Sequence, residues 1–231
     1  MPSLITLFKT DSIHILRDKT LLMMLFLPFL LLLGVKYALP SLTELIPNVE
    51  AYYPLLLAAT GITTGLLGGY VIAFVMLDEK EEGTFEAIRV MPISTLGFVL
   101  YRLFLGFLWS LLFAFLTFVF FDIVGYSWLE RVVYACLCAL TSPITMLVIV
   151  IFASNKIEGM TYIKGFNFFI FIPVISFFVP PFWGYFFGVF PHYWTYKALQ
   201  EGNGWWMACS LLVHLIAISG VAALFFRREG L

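Results

Sequence analysis

Charge is scarce in this sequence. Of 231 residues, 13 are Lys or Arg and 14 are Asp or Glu, 12% in all, while 62% are hydrophobic. A soluble domain carries about 25% charged residues, so a water-facing surface for a chain of this length could not be covered. That excludes a soluble enzyme. The formal net charge of −1 and the lack of a basic run exclude a nucleic-acid binder, whose footprint is a Lys/Arg cluster. The apolar content excludes a disordered chain, and no polar stretch is long enough to fold alone as a large extramembrane domain. Cysteine is also sparse. Cys136, Cys138 and Cys209 all lie in apolar runs; an odd number without extracellular spacing is no disulfide framework, and apolar packing accounts for them. Also missing is the phosphate-binding pattern G-x-x-x-x-G-K-[ST]: Lys9-Thr10 and Lys19-Thr20 lack the preceding glycines. This chain is therefore not expected to bind ATP by that route, and ATP energy for uphill transport would come from another polypeptide; a sodium-coupled carrier using carbonyls and hydroxyls is less firmly excluded.

What the sequence does contain is long apolar runs. A membrane span needs about 20 predominantly apolar residues, and the mean hydropathy is +1.00. Runs at 21–39 (stopped by Pro40), 54–77 (ended by the acidic cluster from Asp78), 96–121 and 132–153 give four spans. A fifth starts near Ile163 and is broken by Pro173, Pro180 and Pro181, with Pro191 following; a sixth covers 205–226. The expected fold is an all-α polytopic membrane protein of six transmembrane helices, one transmembrane domain over residues 1–231. An even number of spans puts both termini on one side. That side holds Lys9, Arg17, Lys19, Lys80, Arg89, Arg102, Lys156, Lys164, Arg227 and Arg228; the other holds Lys36, Arg131 and Lys197. Basic residues favour the cytoplasmic side, so both termini and the loops at 78–94 and 154–164 are expected in the cytoplasm. The outer loops are then 40–53, 122–131 and 191–204.

The N-terminal segment does not read as a signal peptide, because the apolar run starts only at Leu21 and no clean small-x-small site follows. Leu4, Leu7, Phe8 and Ile15 share one helical face with Lys9 and Asp11 off it, which predicts a short interfacial helix within residues 1–20. Ionisable residues inside a span are costly and usually functional. Here Lys36, Arg102 and Asp122 sit close enough to span ends to snorkel, and only His214 lies near mid-span. One histidine makes a poor proton relay; an interhelical hydrogen bond is the simpler reading. Ser210, one turn before it, reads as a hydrogen-bonding neighbour and not a nucleophile, since no third group is in view. A membrane-embedded metalloprotease is disfavoured too. Glu81-Glu82 is followed by Gly83-Thr84-Phe85-Glu86 without the required Arg, His14, His192 and His214 are not expected to converge on it, and no His or Cys pair has ligand spacing.

Two further features stand out. Gly61, Gly65 and Gly69 recur at four-residue spacing along the second span, a face that admits another backbone, from within the chain or from a second subunit. The loop from Asp78 to Ser94 gathers five of the fourteen carboxylates within nine residues. In it Thr84 can cap a short helix, Glu86 sits in its first turn, Phe85 and Ile88 give it an apolar side, and Pro92 stops it. A short capped amphipathic helix between two spans fits a partner's groove.

This loop closely resembles the signature of ABC-2 type permeases, the membrane subunits of one class of ATP-binding-cassette exporters. An acidic run followed by Glu82-Gly83-Thr84, Glu86, Arg89 and Pro92-Ile93-Ser94 matches that signature in order. The segment leading into Arg17-Asp18-Lys19 and the broken region ending in Phe190-Pro191-His192-Tyr193-Trp194 resemble the family's N-terminal helix and its partly re-entrant segment before the last span. The resemblance implies an ATPase-coupling role for Glu82, Gly83, Thr84, Phe85, Glu86, Arg89 and Pro92 within a cytoplasmic coupling loop at 78–95. It implies a separate ABC ATPase subunit carrying ATP and Mg, a second permease subunit in a homo- or heterodimer, a plasma-membrane location, and export of a small drug-like or lipid-like compound. Catalytic residues and metal ligands on this chain are not expected. The 26 Phe and 11 Tyr fit lipid-facing packing and interfacial belts, and no single aromatic is assigned to substrate. The alternative is a secondary carrier or channel-like protein with no ATPase partner; a neighbouring gene carrying a Walker A motif separates the two.

Overall fold

α3 (Tyr53–Glu81) is the axis around which the other helices gather. It starts with Pro54 in its first turn, where the missing N–H costs nothing, and it runs for 29 residues. At 1.5 Å per residue that is about 44 Å, longer than the roughly 30 Å hydrocarbon core, so its acidic last turn reaches beyond the apolar zone. The structure, a computed structural model, describes residues 4–45, 48–83 and 95–229. Before α3 come α1 (Leu4–Arg17), α2 (Lys19–Leu45) and a 3-10 turn (Val49–Tyr52). After it come α4 (Thr95–Phe120), α5 (Trp128–Ala139), α6 (Thr141–Phe152) and α7 (Lys156–Phe171), the last passing into a 3-10 stretch at Ile172–Phe177. A four-residue α8 (Pro181–Gly184), another 3-10 stretch (Tyr185–Val189), α9 (Pro191–Glu201) and α10 (Gly204–Glu229) complete the order. All regular structure among the described residues is helical.

Among the described residues six helical segments are long and apolar enough to cross a membrane: Lys19–Leu45, Val49–Glu81, Leu96–Phe120, Trp128–Phe152, Lys156–Phe177 and Gly204–Arg228. The all-α polytopic membrane fold is therefore as expected, with local corrections. α2 does not stop at Pro40; it passes through both Pro28 and Pro40 to Leu45. A proline removes one backbone donor, and membrane helices tolerate that because neighbouring groups re-satisfy the freed carbonyl. The fourth span is two helices, broken at Leu140. Pro143 lacks an N–H and its ring crowds the carbonyl four residues back, which accounts for the break. The stretch at 154–164, expected as a loop, is mostly the start of α7, with Asn155 Oδ1 accepting from Glu158 N at 2.9 Å as the N-cap. The stretch at 191–204, expected as an outer loop, is likewise mostly helix. Pro191 starts α9, which buries His192, Tyr193, Thr195, Tyr196, Ala198 and Leu199 and packs back against α3 and α10.

Burial grades the spans. The apolar windows of Val49–Glu81 and Trp128–Phe152 are 83% and 78% buried within the chain, that of Leu96–Phe120 is 39% buried, and those of Lys19–Leu45, Lys156–Phe177 and Gly204–Arg228 are 19%, 11% and 17% buried. The two most buried spans form the core, Leu96–Phe120 packs on it with one side, and the other three present apolar side chains to their surroundings. The glycine ladder explains how the core closes. A Cβ on Gly65 would lie 2.9 Å from the Cys138 carbonyl oxygen, and one on Gly69 would lie 2.7 Å from that of Ser142. Gly61 meets the Phe118 ring and Cys138 Sγ, and Gly68 meets Ser110 and Gly106 of α4. Gly65 and Gly69 thus pack backbone to backbone on the broken α5–α6 pair inside the same chain, and Gly61 on the same face packs against side chains of α4 and α5. Cys136, Cys138 and Cys209 are free.

Candidate functional site

The last turn of α3 carries consecutive carboxylates, Asp78 and Glu79, that point to different neighbours. Glu79 pairs with Nη2 of Arg102 on α4. The same guanidinium has Nη1 3.0 Å from Asp11 Oδ1 on α1, an ion-pair approach without hydrogen-bond alignment. Tyr101 Oη donates to Asp11 Oδ2 at 2.9 Å, and the Phe98 ring lies 5.0 Å from the guanidinium carbon. Arg102 is 1% exposed and Asp11 4%. Both findings correct the sequence expectation. Arg102 does not snorkel outward, and Asp11 is not off the buried face, because each supplies the charge the other needs in order to be buried.

Asp78 faces the other way. Its Oδ2 is 2.7 Å from Lys156 Nζ at the start of α7 and 3.0 Å from His14 Nε2 on α1. Lys156 Nζ also reaches Asp18 Oδ2 at 2.5 Å, and its backbone N–H donates to Glu81 Oε1 at 2.8 Å. Asp18 is the joint between α1 and α2, where its Oδ1 accepts from Thr20 N at 2.7 Å and Leu21 N at 3.1 Å. Burial pushes the Asp18 carboxyl up, but the Lys156 hydrogen bond and those two backbone donors outweigh it and hold the group below its ordinary value. A cavity of about 500 Å³ opens beside this junction, lined in part by Ile13, His14, Arg17, Asp78, Glu82 and Lys156. His14, Asp18 and Asp78 bring ligand atoms within 4.8 Å of one another. His14 reaches Asp78 at the acidic end of α3, while His192 and His214 pack against each other elsewhere, and the Lys156 ammonium already serves as the cation between the two aspartates.

Immediately after this junction the chain turns. Glu82 N–H donates to Asp78 O at 2.9 Å, Gly83 N–H donates to Lys80 O at 3.3 Å, and Gly83 has φ +71°. That is a left-handed helix stop, which favours glycine. Of the residues singled out in the loop, Glu82 and Gly83 are thus seen as the exposed C-terminal cap of α3. Thr84, Phe85, Glu86, Arg89 and Pro92 lie outside the described residues. The ion network at the root of the loop was missed from sequence. The available signal was the coincidence of Asp11, Arg102 and Lys156 near the same end of different helices.

The two ends of the bundle are distinct. α1, the end of α3, Arg102, Lys156 and Arg228 (over the Phe152 ring at 5.3 Å) share one end. Asp122–Arg131 (2.6 Å), Gln200 to the Ala51 carbonyl (3.4 Å) and Tyr126 to the Leu199 carbonyl (2.9 Å) mark the other. Near the latter end, His214 corrects a further expectation. Its Nδ1 is 2.8 Å from Ser210 O within its own helix, and the Ser210 hydroxyl meets Thr195 Oγ1 at 2.9 Å.

Residues 11–226 match the family described as fluoroquinolones export permease protein Rv2686c-like. The chain belongs to that family. Two curated relatives, the fluoroquinolones export permease proteins Rv2686c and MT2760 of Mycobacterium tuberculosis strains H37Rv and CDC 1551, are each 29% identical to it. The identity extends over 201 residues, 82% of this chain and 80% of theirs. No solved structure matches the chain. The family span takes in every member of the ion network, from Asp11 to Lys156, together with the α3 cap and the loop after it.

Proposed function

We propose that this chain is the membrane subunit of an ABC-2 type, ATP-driven exporter. It would carry a small hydrophobic or amphipathic compound out of the cytoplasm across the plasma membrane. The observation that carries the reading is membership, over residues 11–226, of a family whose relatives are named for fluoroquinolone export. The Glu82-Gly83-Thr84 signature supports the separate ATPase subunit, which would hold ATP and Mg. The ten-to-three partition of Lys and Arg supports a cytoplasmic location for both termini and for the 82–94 loop.

In this reading the loop docks in a groove of the ATPase, and the α3 cap transmits its displacement. Asp78 and Glu79 occupy the turn that a loop movement shifts first. Through Lys156 and Arg102 they engage α1, α4 and α7, so the end of the bundle would move as one body between two packed arrangements. The uncovered apolar faces of α2 and α7 suit a second permease subunit, in a homo- or heterodimer, as well as lipid.

The test is drug accumulation in a sensitised bacterium expressing this chain with the ATPase encoded beside it. Expression of both should lower intracellular fluoroquinolone, and a Walker A lysine variant of the ATPase should abolish that effect. Equal export by this chain alone would favour a secondary carrier. Failure of the two chains to co-purify would overturn the ATPase pairing.

A further inference from the structure

Two buried histidines near the outer end have no part in the export reading. His192, in the first turn of α9, is 6% exposed, and His214, midway along α10, is fully enclosed. Their ring centroids lie 6.1 Å apart, with the planes inclined at 48°. The Ser210 carbonyl beside His214 Nδ1 can only accept, so Nδ1 carries the proton and Nε2 presents a bare lone pair. Among the described residues that nitrogen has no hydrogen-bond partner, and neither has His192 Nε2. The nearby hydroxyls of Thr195 and Ser210 are engaged with each other.

We propose that His192 and His214 form a two-coordinate site for a soft monovalent cation of the copper(I) or silver(I) class, clipping α9 to α10. The spacing supports it. A direct N–H···N bond of about 3 Å would bring the two ring centroids to roughly 5 Å. Two metal–nitrogen bonds of about 2 Å each, in line, set them about 6 Å apart, as observed. The chemistry supports it as well. Both rings are enclosed, which disfavours an imidazolium cation, and the neutral imidazole is the form that ligates metals. A backbone carbonyl behind Nδ1 is the usual outer partner that fixes a ligating histidine's tautomer. Both ligands are uncharged and enclosed, which favours a single positive charge over a divalent ion, since burying uncompensated charge is costly. Two nitrogens in line are a complete coordination set for a d10 monovalent ion.

The test uses full-length protein in detergent, titrated with copper(I) buffered by bicinchoninate and separately with silver nitrate. Free Cys136, Cys138 and Cys209 also bind these ions, so the decisive quantity is a difference. Wild type should bind one ion per chain more than either His192→Gln or His214→Gln, and copper should raise the melting temperature of wild type alone. Equal stoichiometry in all three proteins overturns the site. Copper X-ray absorption on wild type guards against a variant that fails to fold: two nitrogen ligands at about 2 Å support the site, and sulfur-only ligation overturns it. Export assayed with copper chelated is independent of this outcome, so loss of the metal site leaves the transport reading intact, and the reverse.

Discussion

Removing the Arg102 guanidinium should destabilise the chain more than any single charge removal at the surface. Arg102→Met keeps an unbranched apolar stem but leaves Asp11 and Glu79, whose side chains are 6% and 20% exposed, facing each other without their shared cation. Deleting one partner of a buried ion pair costs about 3–5 kcal/mol. The lower figure, about 3 kcal/mol, applies here because Glu79 keeps some contact with solvent. For a chain of this length each kcal/mol moves the melting temperature by about 2–4 °C, so the variant should melt roughly 6–12 °C below wild type. The measurement is tryptophan-fluorescence melting in detergent, paired with limited proteolysis at α1, which should become accessible once Asp11 loses its anchor. A triple variant, Asp11→Asn with Glu79→Gln and Arg102→Met, should regain most of the loss, because no charge is then stranded. Wild-type melting and protection of α1 in Arg102→Met would refute the reasoning. A triple variant no better than the single one would place the loss in packing instead of charge.

Four further outcomes are expected. Gly65→Leu should abolish stable accumulation, because even a Cβ there lies 2.9 Å from a backbone carbonyl, whereas Gly220→Ala, which meets nothing within 4 Å, should raise stability by about 0.5–1 kcal/mol; quantitative membrane blotting and melting separate the two. Gly83→Val should weaken ATPase co-purification while leaving membrane insertion intact, since φ +71° strains a branched residue; so should Glu82→Ala, by up to about 2–5 kcal/mol if that carboxylate is buried at the interface. An impermeant thiol reagent should fail to label Thr84→Cys in intact cells and label it after permeabilisation, and labelling in intact cells would reverse the orientation. Asp18 has a depressed folded-state pKa, so its contribution is full above the ordinary 3.8 and is lost as pH falls through the lowered value; Lys156→Gln should diminish that acid-dependent part of the melting curve.

The six spans were legible because apolar runs of membrane length are the strongest pattern a sequence can carry. What surrounds them was less so. Pro40 reads as a stop in water, but in α2 it is one lost hydrogen bond in an otherwise intact ladder. The outer segment before α10 looked like a loop because its prolines and glycines break periodicity, yet Pro191 sits where a helix welcomes it. Arg102 and Asp11 are separated by 91 positions, and nothing local announces that they meet. Glycine spacing showed that a backbone approaches closely but not whose, and the answer lay in the carbonyls of Cys138 and Ser142. Of the loop signature the structure describes only Glu82 and Gly83, at the left-handed stop of α3; the residues from Thr84 to Ser94 lie outside the described residues.

The central position of α3 has a consequence for how the chain is made. As the second span it leaves the ribosome before α4, α5 and α6, the helices that fill its glycine grooves. Until they arrive, those grooves and the Thr60 and Thr64 hydroxyls face lipid, although the hydroxyls bond back to carbonyls of their own helix and so carry their own satisfaction into the bilayer. Each partner then arrives within about one hairpin of the last, which keeps the search local and fast. Arg102 enters as part of the very next span, by which time Asp11 is already synthesised. Biogenesis therefore has a natural checkpoint: α1 can lock down only after α4 has been inserted in the correct orientation. A chain whose third span is inverted would leave Asp11 and Glu79 without their counter-ion, exposed to the quality-control machinery of the membrane.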